Sequence, residues 1–252
     1  MKSFKDTNKI ISLFSGAGGM DIGFEMAGFE TVVAVENDVS CCATLKKNRP
    51  DLSVIHGDIT KITTEEILRV GGLKPTEAAL VIGGPPCQPF SLAGKRMGMD
   101  DIRGKLVLEF IRVVRESLPK VFVMENVRGM VNWQDGKAIE AIMNEISEPI
   151  YFEGSEYSYK VDRTILNAVD YGVPQYRERI FLVGNRLNKK FEFPEPTHTN
   201  MENRTLNMFG NNKLKYKTVW DSIGNLPKAD APSETAVRIS ETIKDRILKY
   251  GY

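Results

Sequence analysis

The sequence predicts an α/β protein: a doubly wound, mostly parallel sheet with an antiparallel last strand. Three observations predict it. Short apolar runs alternate with helix-patterned segments between residues 9 and 146, the order that builds a parallel sheet with helices on its faces. The first run breaks into Ser15-Gly16-Ala17-Gly18-Gly19, a tight turn with almost no Cβ atoms ahead of a helix. The last two strand-like runs are joined only by Asp170 to Glu178, a link too short for a parallel crossover. That final strand should therefore run antiparallel, at the edge of the sheet.

The elements follow in order. Lys9 to Phe14 is the first strand and Asp21 to Ala27 the first helix. Thr31 to Val35 is a second strand, Ser40 to Asn48 a helix, Leu52 to Ile55 a short third strand and Glu65 to Val70 another helix. Ala78-Ala79-Leu80-Val81-Ile82 reads as a fully buried fourth strand. Lys105 to Ser117 carries apolar residues at Leu106, Phe110, Val113 and Val114, a helical spacing. Lys120 to Met124 is the fifth strand and Lys137 to Ile146 its following helix. Arg163 to Val169 and Arg179 to Gly184 complete the sheet. After about Asn185 the chain turns polar, with Pro194, Pro196 and Pro227 and a basic alternation, Lys213, Lys215, Lys217. Ser233 to Leu248 reads as one amphipathic helix without a second core to pack against. The reading therefore divides the chain at residues 1–185 and 186–252.

Bulk properties narrow the class. A chain of 252 residues, 42% apolar and 27% charged, buries one large core or a core plus an appendage. It contains no apolar run near the ~20 residues of a membrane span, and Met1 to Asp6 holds no signal-peptide h-region. Three cysteines, two of them adjacent, make a poor disulfide framework and point to a reducing, cytoplasmic setting. Neither His56 nor His198 lies in a Cys/His cluster, so no metal site is expected. A net charge of +1 does not by itself announce a nucleic-acid binder.

The chemistry gathers at strand ends. The fourth strand stops in Gly83-Gly84-Pro85-Pro86-Cys87-Gln88-Pro89-Phe90-Ser91, where the prolines fix the backbone ahead of the thiol. Open α/β sheets place their ligands at this edge. On residue type alone Cys87 is a small core residue; the rigid turn before it and the polar segment after it favour a reactive thiol. The glycine turn, Glu36 twenty positions after Gly16, and Gly57-Asp58-Ile59 lie on consecutive strand ends. Together they read as an adenosine site, with Glu36 placed to accept from ribose hydroxyls. Solvated strand ends are the bland alternative for each singly.

Glu125-Asn126 closes the fifth strand. A carboxylate there, beside a thiol, could have a raised pKa and donate a proton, or serve only as a cap or ion-pair partner. Gln175-Tyr176-Arg177-Glu178-Arg179 returns to the same edge, its two arginines pointing one way, able to bind a carbonyl, a phosphate or Glu125. Ser91 to Gly104, with Lys95, Arg96 and Arg103 and three glycines, describes a mobile loop and a possible lid.

These residues resemble the cytosine-5 DNA methyltransferase family, whose motifs match Phe14 to Gly19, Glu36, Gly57-Asp58-Ile59, Pro85-Pro86-Cys87-Gln88, Glu125-Asn126-Val127 and Gln175 to Arg179 in order, over roughly residues 9 to 185. The resemblance implies a Rossmann-like methyltransferase fold and S-adenosylmethionine as cofactor, leaving as S-adenosylhomocysteine. Phe14 would lie against adenine, Glu36 and Asn37 serve the ribose, and Asp58 and Ile59 flank the base. Ser15, Gly16, Ala17, Gly18, Gly19 and Pro85 complete that site. It also implies double-stranded DNA with a flipped cytosine. Cys87 would attack carbon 6, Glu125 donate to N3, Arg177 and Arg179 hold Glu125 and the cytosine carbonyl, and Asn126 and Pro86 shape the pocket. Gln88, Ser91, Lys95, Arg96, Arg103, Gly104 and Gln175 would face the nucleic acid.

The match stops short of the family's closing motif, a helix introduced by Phe-Gly-Asn-Ser-Val. Phe209-Gly210-Asn211-Asn212 resembles that motif but precedes the wrong segment. Thr218 to Pro227 resembles the opening of the target-recognition region. The resemblance therefore implies a second polypeptide that completes the enzyme, or a truncated form. A restriction-modification role is one setting for such an enzyme. Alternatives within the reading are a tRNA substrate, or a cofactor-binding subunit silent without its partner.

Overall fold

The computed structural model describes residues 8–86, 102–200 and 213–226. Its frame is a seven-stranded sheet of β1 (Lys9–Leu13), β2 (Glu30–Glu36), β3 (Ser53–His56), β4 (Leu80–Gly83), β5 (Val121–Val127), β8 (Lys160–Asn167) and β9 (Glu178–Asn185), in the order β3-β2-β1-β4-β5-β9-β8. The first five strands are mutually parallel, and β9 is antiparallel to both neighbours. The doubly wound class holds.

The position of the antiparallel strand differs from expectation. It lies between β5 and β8, so β8, not β9, forms the edge. The reason is legible in burial. Ile180, Leu182 and Val183 of β9 are buried, whereas β8 carries Lys160, Asp162, Arg163 and Thr164 and none of its residues is fully buried, the polar character that suits an edge. The short link after β8 then folds back as a hairpin and inserts β9 beside β5.

Each face of the sheet has its own core. On one, α3 (Thr64–Val70), α4 (Ile102–Ser117) and α5 (Lys137–Ser147) bring Ile67, Phe110, Val114 and Ile142 against Ile11, Val33, Val81 and Phe122. On the other, Met20 and Phe24 of α1 (Gly19–Met26) cover Ile10, Leu80 and Ile82. The helix α2 (Val39–Asn48) is capped by Asp38, whose carboxylate accepts from Cys41 N. Helix α4 starts a turn earlier than its spacing predicts, so Arg103 and Gly104 belong to its first turn and not to a loop. Nothing in Ile102-Arg103-Gly104 forbids helix, a single glycine costing only about 1 kcal/mol.

A hairpin, β6 (Ile150–Phe152) and β7 (Ser155–Tyr157), was not expected. Its two turn residues, Glu153 and Gly154, both have positive φ, at 47° and 75°, the primed geometry that two-residue hairpins use. Glu is an uncommon choice there, which hid the signal. Beyond the main sheet, β10 (His198–Thr199) pairs with β11 (Leu214–Lys215), followed by the short α6 (Val219–Ile223). The helix expected over Ser233 to Leu248 lies outside the described residues. Among the described residues no helix is long and apolar enough to cross a membrane.

Where β5 and β9 pair, a Cβ on Gly184 would lie 2.0 Å from the Phe122 ring. Gly184→Ala should destabilise the protein by at least about 1–3 kcal/mol, read as a lowered urea midpoint with an unchanged slope.

Candidate functional site

A cleft of about 780 Å³ opens where β1 to β4 end, lined among others by Phe14, Glu36, Asn37, Asp58, Ile59 and Pro86. These are sequence-predicted site residues, drawn together by the parallel register that sets Leu13 beside Val35 and Gly83, and Glu36 beside His56.

The glycine turn is shaped for close packing. Gly18 caps α1 in the left-handed region at φ 85°, and a Cβ there would sit 2.9 Å from Leu45 of α2. Ser15 closes the turn by accepting Gly18 N through its carbonyl at 2.9 Å and by donating its hydroxyl to Ser12 O at 3.2 Å. Gly16 and Gly19 face open space, where an added Cβ would meet no atom within 4 Å. Phe14, just before the turn, takes φ 53°, a strained setting for an aromatic residue that the structure tolerates at a ligand-facing position.

Glu36 is already occupied. Its carboxylate accepts from Gly16 N at 2.7 Å and from Asn37 N and Asp38 N at 2.8 Å each. It therefore ties the glycine turn to the β2 end, besides facing the cleft. Asp58 accepts from Thr60 N at 3.0 Å and Thr60 Oγ1 at 2.9 Å. The Thr60 amide, chiefly, holds its carboxyl below the ordinary carboxylate range. Lys105 and Leu106, at the start of α4, also line the cleft. Sequence reading missed both, because a helix's first turn carries no sign of which cavity it borders.

The second cluster lies at the end of β5. Glu125 is ion-paired with Arg179 at 2.9 Å and Arg177 at 3.8 Å, so both predicted arginines converge on it. Gly84 permits this: a Cβ there would stand 3.1 Å from the Glu125 carboxylate. Asn126, 2% exposed, donates its amide to Pro85 O at 3.0 Å and accepts Val127 N at 2.8 Å. It fixes the last described turn before the thiol. A further ion pair, Arg128 with Glu178 at 2.6 Å, joins the residue after β5 to the start of β9 outside the cluster. Gln175 is exposed.

Cys87, Gln88, Ser91, Lys95 and Arg96 lie outside the described residues, as does the expected lid. The other two cysteines are distinguishable from a reactive thiol. Burial pushes both Cys41 and Cys42 up from the ordinary thiol value, which disfavours the nucleophilic thiolate. No group of three or more metal-ligating residues occurs among the described residues.

The arrangement can do two things chemically. The cleft and open glycine turn can take a nucleoside carrying a short polar tail. The β5 cluster can present an oriented carboxyl group and two guanidiniums to a planar polar ring at the turn that leads to Cys87.

Comparison with known proteins identifies the family. A family model described as C-5 cytosine-specific DNA methylase matches residues 8–249. The chain is 64% identical to the Type II methyltransferase M.AquIA of Picosynechococcus sp., over 97% of this chain and 99% of that protein. It is 39% identical to the Type II methyltransferase M1.HphI of Haemophilus parahaemolyticus, over 90% of this chain but 55% of that protein. A crystal structure of a prophage-encoded DNA modification methyltransferase from E. coli superposes with a TM-score of 0.65 at 28% identity, covering 88% of this chain and 56% of that one.

Because Glu36 satisfies three amides, Glu36→Ala should lower stability by about 2–3 kcal/mol, since hydrogen bonds to charged groups contribute about 1.5–3 each before relaxation and rehydration. Glu36→Gln, which keeps an acceptor, should cost less. Urea denaturation of the two variants measures the difference.

Proposed function

This chain belongs to the C-5 cytosine-specific DNA methylase family and is a DNA cytosine-5 methyltransferase that uses S-adenosylmethionine; on that premise we propose how its residues divide the work. Residues 1–185 form the catalytic domain, and residues 186–252 begin the target-recognition region.

The 780 Å³ cleft fits the cofactor's adenosine. Phe14 and Ile59 offer apolar faces to the adenine and Asp58 an acceptor to its amino group. Glu36 Oε2, which among the described residues accepts only from Gly16 N, keeps a lone pair for the ribose, and Asn37 lies beside it. Ser15 to Gly19 and Pro85 hold the amino-acid tail. When bound, S-adenosylmethionine supplies an electrophilic methyl group.

The target cytosine leaves the duplex, at a cost of a few kcal/mol. The Cys87 thiolate attacks carbon 6 and forms a C–S bond, so electron density moves to carbon 5. Protonated Glu125 donates to N3 and offsets the negative charge that would build in the ring. Arg177 and Arg179 hold Glu125, and Arg177, the more exposed of the two, is free to reach the cytosine carbonyl. After methylation a base removes the carbon 5 proton, the C–S bond breaks and Cys87 leaves as thiolate. The observation that carries this reading is convergence: Glu125, both arginines and the Asn126–Pro85 contact meet at the turn that leads to Cys87.

A second polypeptide supplies the rest of the recognition region and the closing helix. One observation supports this. On the α1 face of the sheet, an almost wholly apolar groove of about 510 Å³ runs past Met20, Phe24, Val123, Phe181, Phe191 and Phe193, and no helix of the described residues fills it. The enzyme works in the cytoplasm, within a restriction-modification system.

A duplex carrying 5-fluorocytosine should trap a covalent adduct in the presence of cofactor. Cys87→Ala should abolish the adduct, and Cys41→Ala and Cys42→Ala should leave it unchanged; equal loss in all three would overturn the assignment. Glu125→Gln should slow methyl transfer by about 10²–10⁴-fold, the usual contribution of a general acid. Labelled methyl should enter DNA and not tRNA. Robust sequence-specific methylation by this chain alone would contradict the two-chain reading.

A further inference from the structure

We propose that Lys213, Lys215 and Lys217 form a ladder that binds the phosphate backbone of the duplex, at the flank of the catalytic edge. The proposal rests on the DNA-substrate reading above. Leu214 N donates to Thr197 O at 2.9 Å and Tyr216 N to Thr199 O at 3.1 Å, so residues 214–216 are extended and Lys215 takes the face opposite Leu214 and Tyr216; the same alternation carried one step outward puts Lys213 and Lys217 on the face of Lys215. The alternate residue, Tyr216, turns the other way. Its hydroxyl donates to Asp170 Oδ1 at 2.5 Å, and its ring meets Tyr176 edge-on at 6.1 Å. The Asp170 acceptor pushes the Tyr216 phenol up to about 12, so this anchor stays protonated at neutral pH.

The anchor matters because of what it holds. Tyr176 directly precedes Arg177, whose guanidinium stands 3.8 Å from Glu125. The ladder is thereby fixed to the segment that forms the catalytic edge. Its charge is also unspent. Lys215 and Lys217 are exposed, and none of the three lysines forms an ion pair with a described residue. Asp221, whose carboxyl Lys215 and Lys217 help to lower, accepts its hydrogen bonds from Thr218 N at 2.7 Å and Thr218 Oγ1 at 2.8 Å.

Spacing selects the partner. Alternate residues of a strand advance about 6.6–6.8 Å. Successive phosphates of one DNA strand rise only about 3.4 Å along the axis but also turn around it, so their through-space separation is close to that interval. Three cations so spaced match three successive phosphates. They would give a chain of net charge +1 a local, sequence-independent grip beside the flipped base.

The test measures affinity against salt. Binding of the full chain to a short duplex with an unpaired cytosine, and to one of unrelated sequence, is followed by fluorescence anisotropy. Each lost phosphate contact lowers the slope of log K against log salt by about 0.9. The variant Lys213→Gln/Lys215→Gln/Lys217→Gln should therefore be shallower by about 2.7 on both duplexes, with unchanged affinity for S-adenosylhomocysteine. Lys215→Gln alone should lose about 0.9, which keeps the test decisive if the triple variant folds poorly. An unchanged slope in variants of a chain that does bind DNA would overturn the ladder alone. Absence of any duplex binding by the wild-type chain would overturn the ladder, whereas failure of labelled methyl to enter DNA would overturn the DNA reading on which it rests.

Discussion

The buried amide of Asn126, donating to the carbonyl of Pro85 at 3.0 Å, is the contact on which the catalytic edge depends. In the proposed mechanism the end of β4 must stop, turn and lead to a thiol, and two successive prolines cannot hold that turn by donating backbone hydrogen bonds. A side chain from the neighbouring strand does it instead. The same strand carries Glu125 one residue earlier, so one peptide unit positions the turn and the acid together. Strand geometry sends the two side chains to opposite faces. Asn126 reaches into the buried interior, while Glu125 meets the arginines of β9.

The antiparallel insertion of β9 follows from the same need. Arg177 and Arg179 reach Glu125 only because the chain re-enters the sheet next to β5, running the other way. An edge position would have left β8 between them. On the cofactor side, a single carboxylate plays the corresponding part. Glu36 gathers three amides from the glycine turn and its own strand end, which fixes the cleft's floor before any ligand enters. Both halves of the site are thus built by side chains that satisfy backbone groups, at positions where regular secondary structure has just ended.

Much of this was legible in residue order. Strand ends are read from apolar runs, and a doubly wound sheet places those ends on one edge, so Gly16, Glu36, Asp58, Glu125 and Arg177 could be assembled without coordinates. What stayed hidden depended on contacts between strands. The interior place of β9 is decided by which of two similar runs buries more apolar surface. The role of Gly84 is visible only from the nearby Glu125 carboxylate. Lys105 faces the cleft because of where α4 begins, and that start was misjudged by a turn. The Lys213 alternation was visible as a pattern, yet its meaning required Tyr216 to be found on Asp170 and Tyr176.

If Asn126 holds the thiol turn in register, its loss should damage chemistry even when the cofactor cleft is saturated. The direct measurement is the rate of covalent adduct formation between Asn126→Ala and a 5-fluorocytosine duplex at saturating cofactor. Misplacement of a reacting group by about 1 Å can cost on the order of 10²-fold. The account predicts a rate at least about ten-fold below wild type under those saturating conditions. A wild-type rate of adduct formation in that variant would contradict it.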